Sequence, residues 1–341
     1  MTNLIDNLSE VSIDAAAREL VFHIKERHSV MLWGKPGIGK TEVTHQIGRA
    51  EGMNVIDFRA NLREPVDLRG VPSVDLAHKT TVWLPPAELP RVDRDGERGI
   101  FFCDEINTAS TQMQAALFQL IEERAIGDYR LPDGWAVVAA GNHVADRAAA
   151  QRMPTALRNR FAHIYVAPSV AAWATWAASA GVAPEVVAFI RFRPELIHRM
   201  PRGDENAFPT PRSITKAAKF VHAPNDVRLR LFASYVGNDV AAELDGYIRL
   251  YRSIGTLDDI IKNPGNAKIP TEPSERYAVC TGLARMANRE NFGNVIKYAD
   301  RLDGEGKMLI VHDATAFNPK LKETAHYSKW AVANDSLIMQ S

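Results

Sequence analysis

The sequence predicts an α/β domain built on a parallel sheet, followed by a region made of helices. Three observations carry that expectation. Short apolar runs recur through the first half of the chain, at residues 29–33, 54–58, 99–103, 135–140 and 163–166. They are near-continuous rather than alternating, as strands covered on both faces should be. Segments of helical spacing lie between them, and that alternation makes βαβ units. After Pro168 the strand signal fades and helical spacing takes over.

The elements follow in order. Residues 13–27 place Ile13, Ala16, Ala17, Leu20, Val21 and Ile24 at helical spacing, with Ser12 or Asp14 as the cap. The run 29–33 stops at Gly34, and helical pattern resumes after Gly39. Residues 64–95 hold Pro65, Pro72, Pro85, Pro86 and Pro90 with little periodicity, so a long functional loop is expected there. Residues 110–123 form a helix with Met113, Leu117, Leu120 and Ile121 on one face. Residues 125–133 read as a small hairpin with Pro132-Asp133-Gly134 as the turn. Beyond Pro168, Trp173, Trp176 and Ala177 share a helix, and residues 213–221 and 228–236 form two more. Residues 254–273, with Asn263-Pro264-Gly265, read as a loop and a boundary. Residues 274–341 read as a helical tail whose face carries Leu283, Met286, Phe292, Val295, Ile296 and Leu302.

Composition excludes several classes. The 341 residues allow two or three domains, and 46% apolar with 24% charged residues is ordinary for a soluble globular protein. The 41 Lys and Arg balance 41 Asp and Glu, which argues against a non-specific nucleic-acid binder. Two cysteines, Cys103 and Cys280, exclude a disulfide scaffold and a cysteine-rich zinc module. No apolar run reaches the ~18–20 residues of a membrane span. Residues 1–10 carry acids where a signal peptide would be basic and then apolar. A reducing compartment, most simply the cytoplasm, is the expected setting.

The strongest motif is Gly34-Lys35-Pro36-Gly37-Ile38-Gly39-Lys40-Thr41, which matches G-x-x-x-x-G-K-[ST] between a strand and a helix. Glycines let the backbone turn its N–H groups inward as a phosphate cradle. Lys40 brings a point charge to the β- and γ-phosphates, and the Thr41 hydroxyl can ligate Mg²⁺. The helix start adds its positive end. The nucleotide-contacting set is therefore Gly34, Pro36, Gly37, Ile38, Gly39, Lys40, Thr41 and Glu42. The second motif is Asp104-Glu105, at the end of the run 99–103. Carboxylates at the C-terminal edge of a parallel strand face the ligand crevice. Asp104 would hold Mg²⁺ and Glu105 would polarise the water that attacks the γ-phosphate. Cys103 reads as a small core residue.

These motifs resemble the AAA+ superfamily of P-loop ATPases. Gly-Ile-Phe-Phe-Cys-Asp-Glu-Ile-Asn resembles its Walker B segment, and Asp104-Glu105-Ile106-Asn107 is similar to the MoxR branch, the midasin/dynein-related group and the McrB-type GTPases. The resemblance implies an α/β P-loop core over residues 1–180, an α-helical lid over 181–254 and a helical C-terminal extension over 255–341. It implies that Asn142, after the run 135–140, is the sensor 1 amide. Residues 153–161 resemble the arginine-finger segment of the MoxR and midasin groups, with Arg160 the first choice and Arg158 the second. Pro209-Thr210-Pro211-Arg212-Ser213 resembles the sensor 2 start of a lid helix, with Arg212 touching nucleotide in cis. Lys40, Asp104, Asn142, Arg160 and Arg212 come in the superfamily's order, and the resemblance covers residues 10–240.

The stretch from Leu68 to Leu89 resembles the helix-2 insert of the MoxR-like clade, and residues 125–134 the hairpin before sensor 1. Trp83, Arg69 and Tyr129 are candidate tip residues. The resemblance implies ATP and Mg²⁺ as cofactors, a homo-hexameric ring, and a protein client such as a von Willebrand factor A domain protein, with no nucleic acid and no membrane span. Two alternatives remain. Asn142 followed by Asp146-Arg147 partly matches the Asn-x-x-Asp-Arg signature of McrB-type GTP-driven DNA translocases, with one extra residue between. The cluster Arg191, Arg193, Arg199, Arg202, Arg212, Lys216 and Lys219 could serve DNA. A slow, nucleotide-gated scaffold is the other.

Overall fold

The computed structural model describes residues 10–142, 153–201, 203–253 and 257–335. The readings made on residues 1–9, on 143–147, on Arg202 and on Ile254 lie outside them. The chain divides into two compact units, the first ending at Ala172 and the second starting at Trp173.

In the first unit, β1 (Glu10–Val11) leads into α1 (Ile13–Lys25), where the Ser12 hydroxyl accepts from the Ala15 N–H at 3.3 Å as the cap. β2 (Val30–Gly34) turns into α2 (Lys40–Glu51), and β3 (Asn54–Arg59) follows. The stretch expected as a loop is instead structured. It contains α3 (Pro65–Arg69), an antiparallel hairpin of β4 (Val71–Asp75) and β5 (Thr80–Leu84), and α4 (Val92–Asp95). Pro72 is tolerated because a two-stranded sheet has only edges. Asp75 turns the tip by accepting from the N–H groups of Ala77 at 3.0 Å and His78 at 3.1 Å. The alternation was hidden because Val71 and Val74, on opposite faces, are both exposed.

β6 (Arg98–Asp104) and α5 (Thr111–Glu123) follow, the helix capped by Ser110. β7 (Ala125–Ile126) and β8 (Tyr129–Arg130) form the expected hairpin, but its turn is Gly127-Asp128. Gly127 takes φ 55°, whereas Gly134 already opens β9 (Gly134–Gly141), where a Cβ would lie 2.1 Å from the Glu97 carbonyl oxygen. Tyr129 is not a tip residue: it is buried, and its hydroxyl donates to the Pro90 carbonyl at 2.8 Å. Arg69 lies 4.4 Å over the Trp83 ring. α6 (Thr155–Arg158) and β10 (Ala162–Val166) complete the fold.

Six strands form one parallel sheet in the order β1-β10-β2-β9-β6-β3. Successive residues alternate between its faces. Ile100 and Phe102 join Leu20, Ile24, Val43 and Ile47 of α1 and α2 on one face. Phe101 and Cys103 join Met113, Leu117 and Leu120 of α5 on the other. Each large side chain so buried contributes roughly 1.5–3 kcal/mol. Because β2, β9 and β6 are neighbours, Gly34, Gly141 and Asp104 end side by side at one edge.

α7 (Val170–Ser179) crosses the division between units. Among the described residues the second unit is helical: α8 (Pro184–Phe192), α9 (Pro211–Ala218), α10 (Asn225–Val236), α11 (Asn238–Ser253), α12 (Leu257–Lys262), α13 (Pro273–Met286), α14 (Phe292–Ala299), α15 (Gly304–Phe317) and α16 (Ala325–Ala333). α12 corrects the loop expected over 254–273, its ends favoured by Asp258 and Asp259 in the first turn and Lys262 in the last. Leu283, Phe292, Val295 and Ile296 are buried together with Leu302 packed on them, while Met286 is half-exposed. No helix among the described residues is long and apolar enough to cross a membrane.

Candidate active site

The site grows from the ends of β2, β6 and β9. Leaving β2, the chain turns through Gly37 at φ 78° and Gly39 at φ 105° before α2 begins at Lys40. Gly34 is required by room: a Cβ there would meet the Ile38 side chain and the Val166 carbonyl oxygen at 2.6 Å each. Gly39 is required by conformation, since no atom lies within 4 Å of its would-be Cβ but its φ disfavours L side chains.

Lys40 is buried, and its ammonium donates to the Gly34 carbonyl at 2.7 Å, the Lys35 carbonyl at 3.1 Å and Asn142 Oδ1 at 3.1 Å. The Thr41 hydroxyl donates to Asp104 Oδ2 at 3.1 Å, and Asp104 Oδ1 accepts the Glu105 N–H at 2.9 Å. The sequence-predicted residues of three strand ends are thus joined directly. Glu42 behaves differently: its carboxylate accepts from Arg49 at 2.9 Å and Gln46 at 3.3 Å along α2, so its side chain is turned to the helix face.

Glu105 adopts φ 55°, ψ 34°, a left-handed conformation that costs a non-glycine residue about 1–3 kcal/mol. Its carboxylate accepts from Asn61 Nδ2, just beyond β3. Asn107 is fully buried and bonds the backbone of Asn142 twice, Nδ2 to its carbonyl at 2.7 Å and Oδ1 from its N–H at 3.3 Å. Sequence reading missed Asn61 and the clamp made by Asn107. A lone asparagine after a strand carries no signal of its own, although Asn107 lies within the quoted Asp104-Glu105-Ile106-Asn107 run.

The arginines have other partners. Arg160 pairs with Glu122 of α5, its guanidinium 5.7 Å from the Phe118 ring centre. Arg158 donates to Thr155 Oγ1 of its own turn at 3.2 Å. Neither partner belongs to the phosphate-loop motif. Arg212 lies in the second unit, exposed in the first turn of α9. Cys103 is buried inside β6, and burial, with the Asp104 carboxylate beside it, pushes its thiol pKa well up. Among the described residues no three His, Cys, Asp or Glu side chains cluster as a metal site.

A family model for AAA domains of the dynein-related subfamily matches residues 29–161. The protein MoxR of Methylorubrum extorquens is 32% identical over 161 residues, 44% of this chain and 44% of that protein, so the match spans less than half of the relative's length. Two solved structures are weakly similar. A single-site variant of Thermotoga maritima RuvB aligns with 17% identity over 80% of this chain and 83% of its own, at a TM-score of 0.41. NtrX from Brucella abortus, in complex with ADP, aligns with 13% identity over 98% and 70%, also at 0.41. Residues 29–161 thus match the AAA domain of the dynein-related subfamily, and part of the chain is similar to MoxR.

Proposed function

We propose that the chain hydrolyses ATP to ADP and phosphate as a homo-hexameric ring in the cytoplasm, with each site completed by the neighbouring copy, and that the resulting motion remodels a protein client. The observation that carries this reading is the convergence of Lys40, Thr41, Asp104, Glu105 and Asn142 through direct hydrogen bonds at one sheet edge. The residues present fit both groups. Left-handed glycines and a helix start suit phosphate oxygens, and a hydroxyl bonded to a carboxylate offers the hard oxygens that Mg²⁺ prefers. Thr41 and Asp104 would hold the cation, which neutralises charge on the phosphate oxygens when bound.

In this reading the 34–42 turn supplies the N–H groups of the cradle. Lys40 exchanges its carbonyl partners for phosphate oxygens. Glu105 accepts the proton of the attacking water, and Asn61 holds the carboxylate until the site is loaded. Asn142 orients the water or the γ-phosphate. Arg160, or Arg158, leaves its local partner to neutralise transition-state charge on the next copy's phosphate. Arg212 reads the phosphate state in cis and passes it to the lid over 181–254. The inserts then move a client such as a von Willebrand factor A domain protein.

Three members of the basic cluster already have acidic partners. Arg191 pairs with Asp313, Arg193 with Glu195 and Glu243, and Arg199 with Asp239. Charges matched in this way release few counterions on binding phosphate, so these three arginines add little to a DNA reading.

The test is a pair of variants. Lys40→Ala is expected to lose nucleotide binding. Glu105→Gln is expected to bind ATP without turnover, and so to trap assembly and client together for capture. Wild-type turnover in Glu105→Gln would remove the assigned base.

A further inference from the structure

His163 stands between the phosphate-loop strand and the arginine turn. β10 runs beside β2 with Tyr165 opposite Trp33 and His163 opposite Met31, so His163, Tyr165 and Trp33 project from one sheet face. Trp33 is the residue immediately before Gly34. Its indole N–H donates to His163 Nδ1 at 2.8 Å. An indole nitrogen can only donate, so Nδ1 must be bare and the ring proton must sit on Nε2. His163 Nε2 lies 2.8 Å from the Arg158 carbonyl oxygen, which can only accept. Both contacts therefore demand the same neutral tautomer. An imidazolium would set N–H against N–H at Trp33. The rings are stacked, His163 at 6.0 Å and 25° to Trp33, and Trp33 at 6.4 Å and 14° to Tyr165.

The far end of this bridge needs holding. α6 is four residues long, too short to be stable on its own hydrogen bonds. Besides the His163 ring, its last carbonyl accepts the Phe161 N–H, at 3.3 Å. Arg158 and Arg160 flank that carbonyl. The ring thus links the residue before the first glycine of the cradle to the backbone that carries both arginines.

We propose that His163 is a positioning residue: locked in one tautomer by Trp33, it holds the Arg158–Arg160 backbone in the place from which an arginine reaches the neighbouring copy's site. The proposal rests on the trans-arginine reading above.

Variants of the full chain test it, by steady-state turnover, ATP affinity in the Glu105→Gln background, and thermal melting. His163→Ala is expected to lower kcat about tenfold with KM, ATP affinity and melting little changed, the signature of an interaction felt only in the transition state. His163→Gln restores a donor toward the Arg158 carbonyl and is expected to recover to within about threefold of wild type. Mixing His163→Ala with Lys40→Ala is expected to restore turnover, because the Lys40→Ala copy lends a well-placed arginine to the other copy's intact cradle. Trp33→Phe removes the indole donor and is expected to reproduce the His163→Ala loss in part. If His163→Ala keeps wild-type kcat while Arg158→Ala or Arg160→Ala loses it, the positioning role is overturned and the function stands. If the arginine variants also keep wild-type turnover, both are overturned. Loss of ATP affinity in His163→Ala, or no recovery in mixtures, would also overturn it. Nitrogen-15 NMR of His163 gives a test without substitution: a protonated Nδ1 in the folded protein refutes the bridge.

Discussion

Asn107 grips Asn142 by both of its backbone polar groups, donating to the carbonyl at 2.7 Å and accepting from the N–H at 3.3 Å. A side chain here does the work of a further strand, satisfying the end of β9 where the sheet stops. The grip leaves Asn142 Oδ1 facing the Lys40 ammonium at 3.1 Å. Gly141 makes room for it, since a Cβ there would lie 2.4 Å from Asn107 Oδ1.

Asn107→Ala and Asn142→Ala are therefore expected to differ. The first strands the half-buried N–H and carbonyl of Asn142, at a cost of up to about 1–3 kcal/mol for each group left unpaired. It should lower both the melting temperature and turnover. The second keeps the backbone clamp and loses only the contact with Lys40, so turnover should fall while the melting temperature stays near wild type. Melting curves and ATPase rates decide it, and equal melting of the two variants would show that the clamp adds no stability.

How legible a feature was in the sequence followed how local its cause was. Gly34, Gly39, Lys40 and Thr41 announced themselves because conformation, room and charge demand those residue types within eight positions. Asp104 and Glu105 showed as acids ending an apolar run. Asn61, Asn107 and His163 did not show their contacts, because those lie 44, 35 and 130 residues away, with Glu105, Asn142 and Trp33. The β4–β5 hairpin stayed hidden because Pro72 and exposed valines blur the period-2 pattern that one-sided burial produces. The positions of Arg158 and Arg160 on local partners were illegible because nothing in their spacing distinguishes Glu122 or Thr155 from any other surface group.

Arg124 offers a test of backbone conformation against side-chain bonding. It ends α5 at φ 52° and donates to the carbonyls of Pro132 at 2.8 Å and Trp135 at 2.7 Å. Glycine relieves a left-handed cost of roughly 1–2 kcal/mol but gives up two charge-assisted bonds of about 1.5–3 kcal/mol each. Alanine gives up the bonds and keeps the cost. Urea denaturation is expected to order the proteins wild type, Arg124→Gly, Arg124→Ala, and a reversal of the last two would contradict the conformational argument.

The two thiols should be silent in the folded protein. Cys103 and Cys280 are free and buried in β6 and α13, and burial pushes the Cys280 pKa up to about 12. Thiolate, the reactive form, is then negligible at pH 8. Iodoacetamide is expected to label neither cysteine in native protein and both in denaturant. Labelling of Cys103 in the native protein would mean that β6 opens beside Asp104.

Acid sensitivity should appear at Asp239 in the second unit. Arg199 grips its carboxylate with two bonds of 2.6 and 3.1 Å, and this hydrogen-bonded guanidinium lowers the Asp239 pKa to about 2 from the 3.8 of a free aspartate. The folded value lies below the unfolded one, so the unfolded chain takes up the proton first as pH falls. The stabilisation is complete above the unfolded pKa and disappears as pH drops through the folded one. The difference in urea midpoint between wild type and Asp239→Asn is therefore expected to be constant from pH 7 to about 4, to shrink between about 4 and 2, and to vanish below that. The pair is half-exposed, so the difference should also shrink in 0.5 M salt, where the Debye length is only about 4 Å. A difference that grows on acidification would mean that the carboxylate is stabilised in its protonated form, the opposite of what the Arg199 geometry requires.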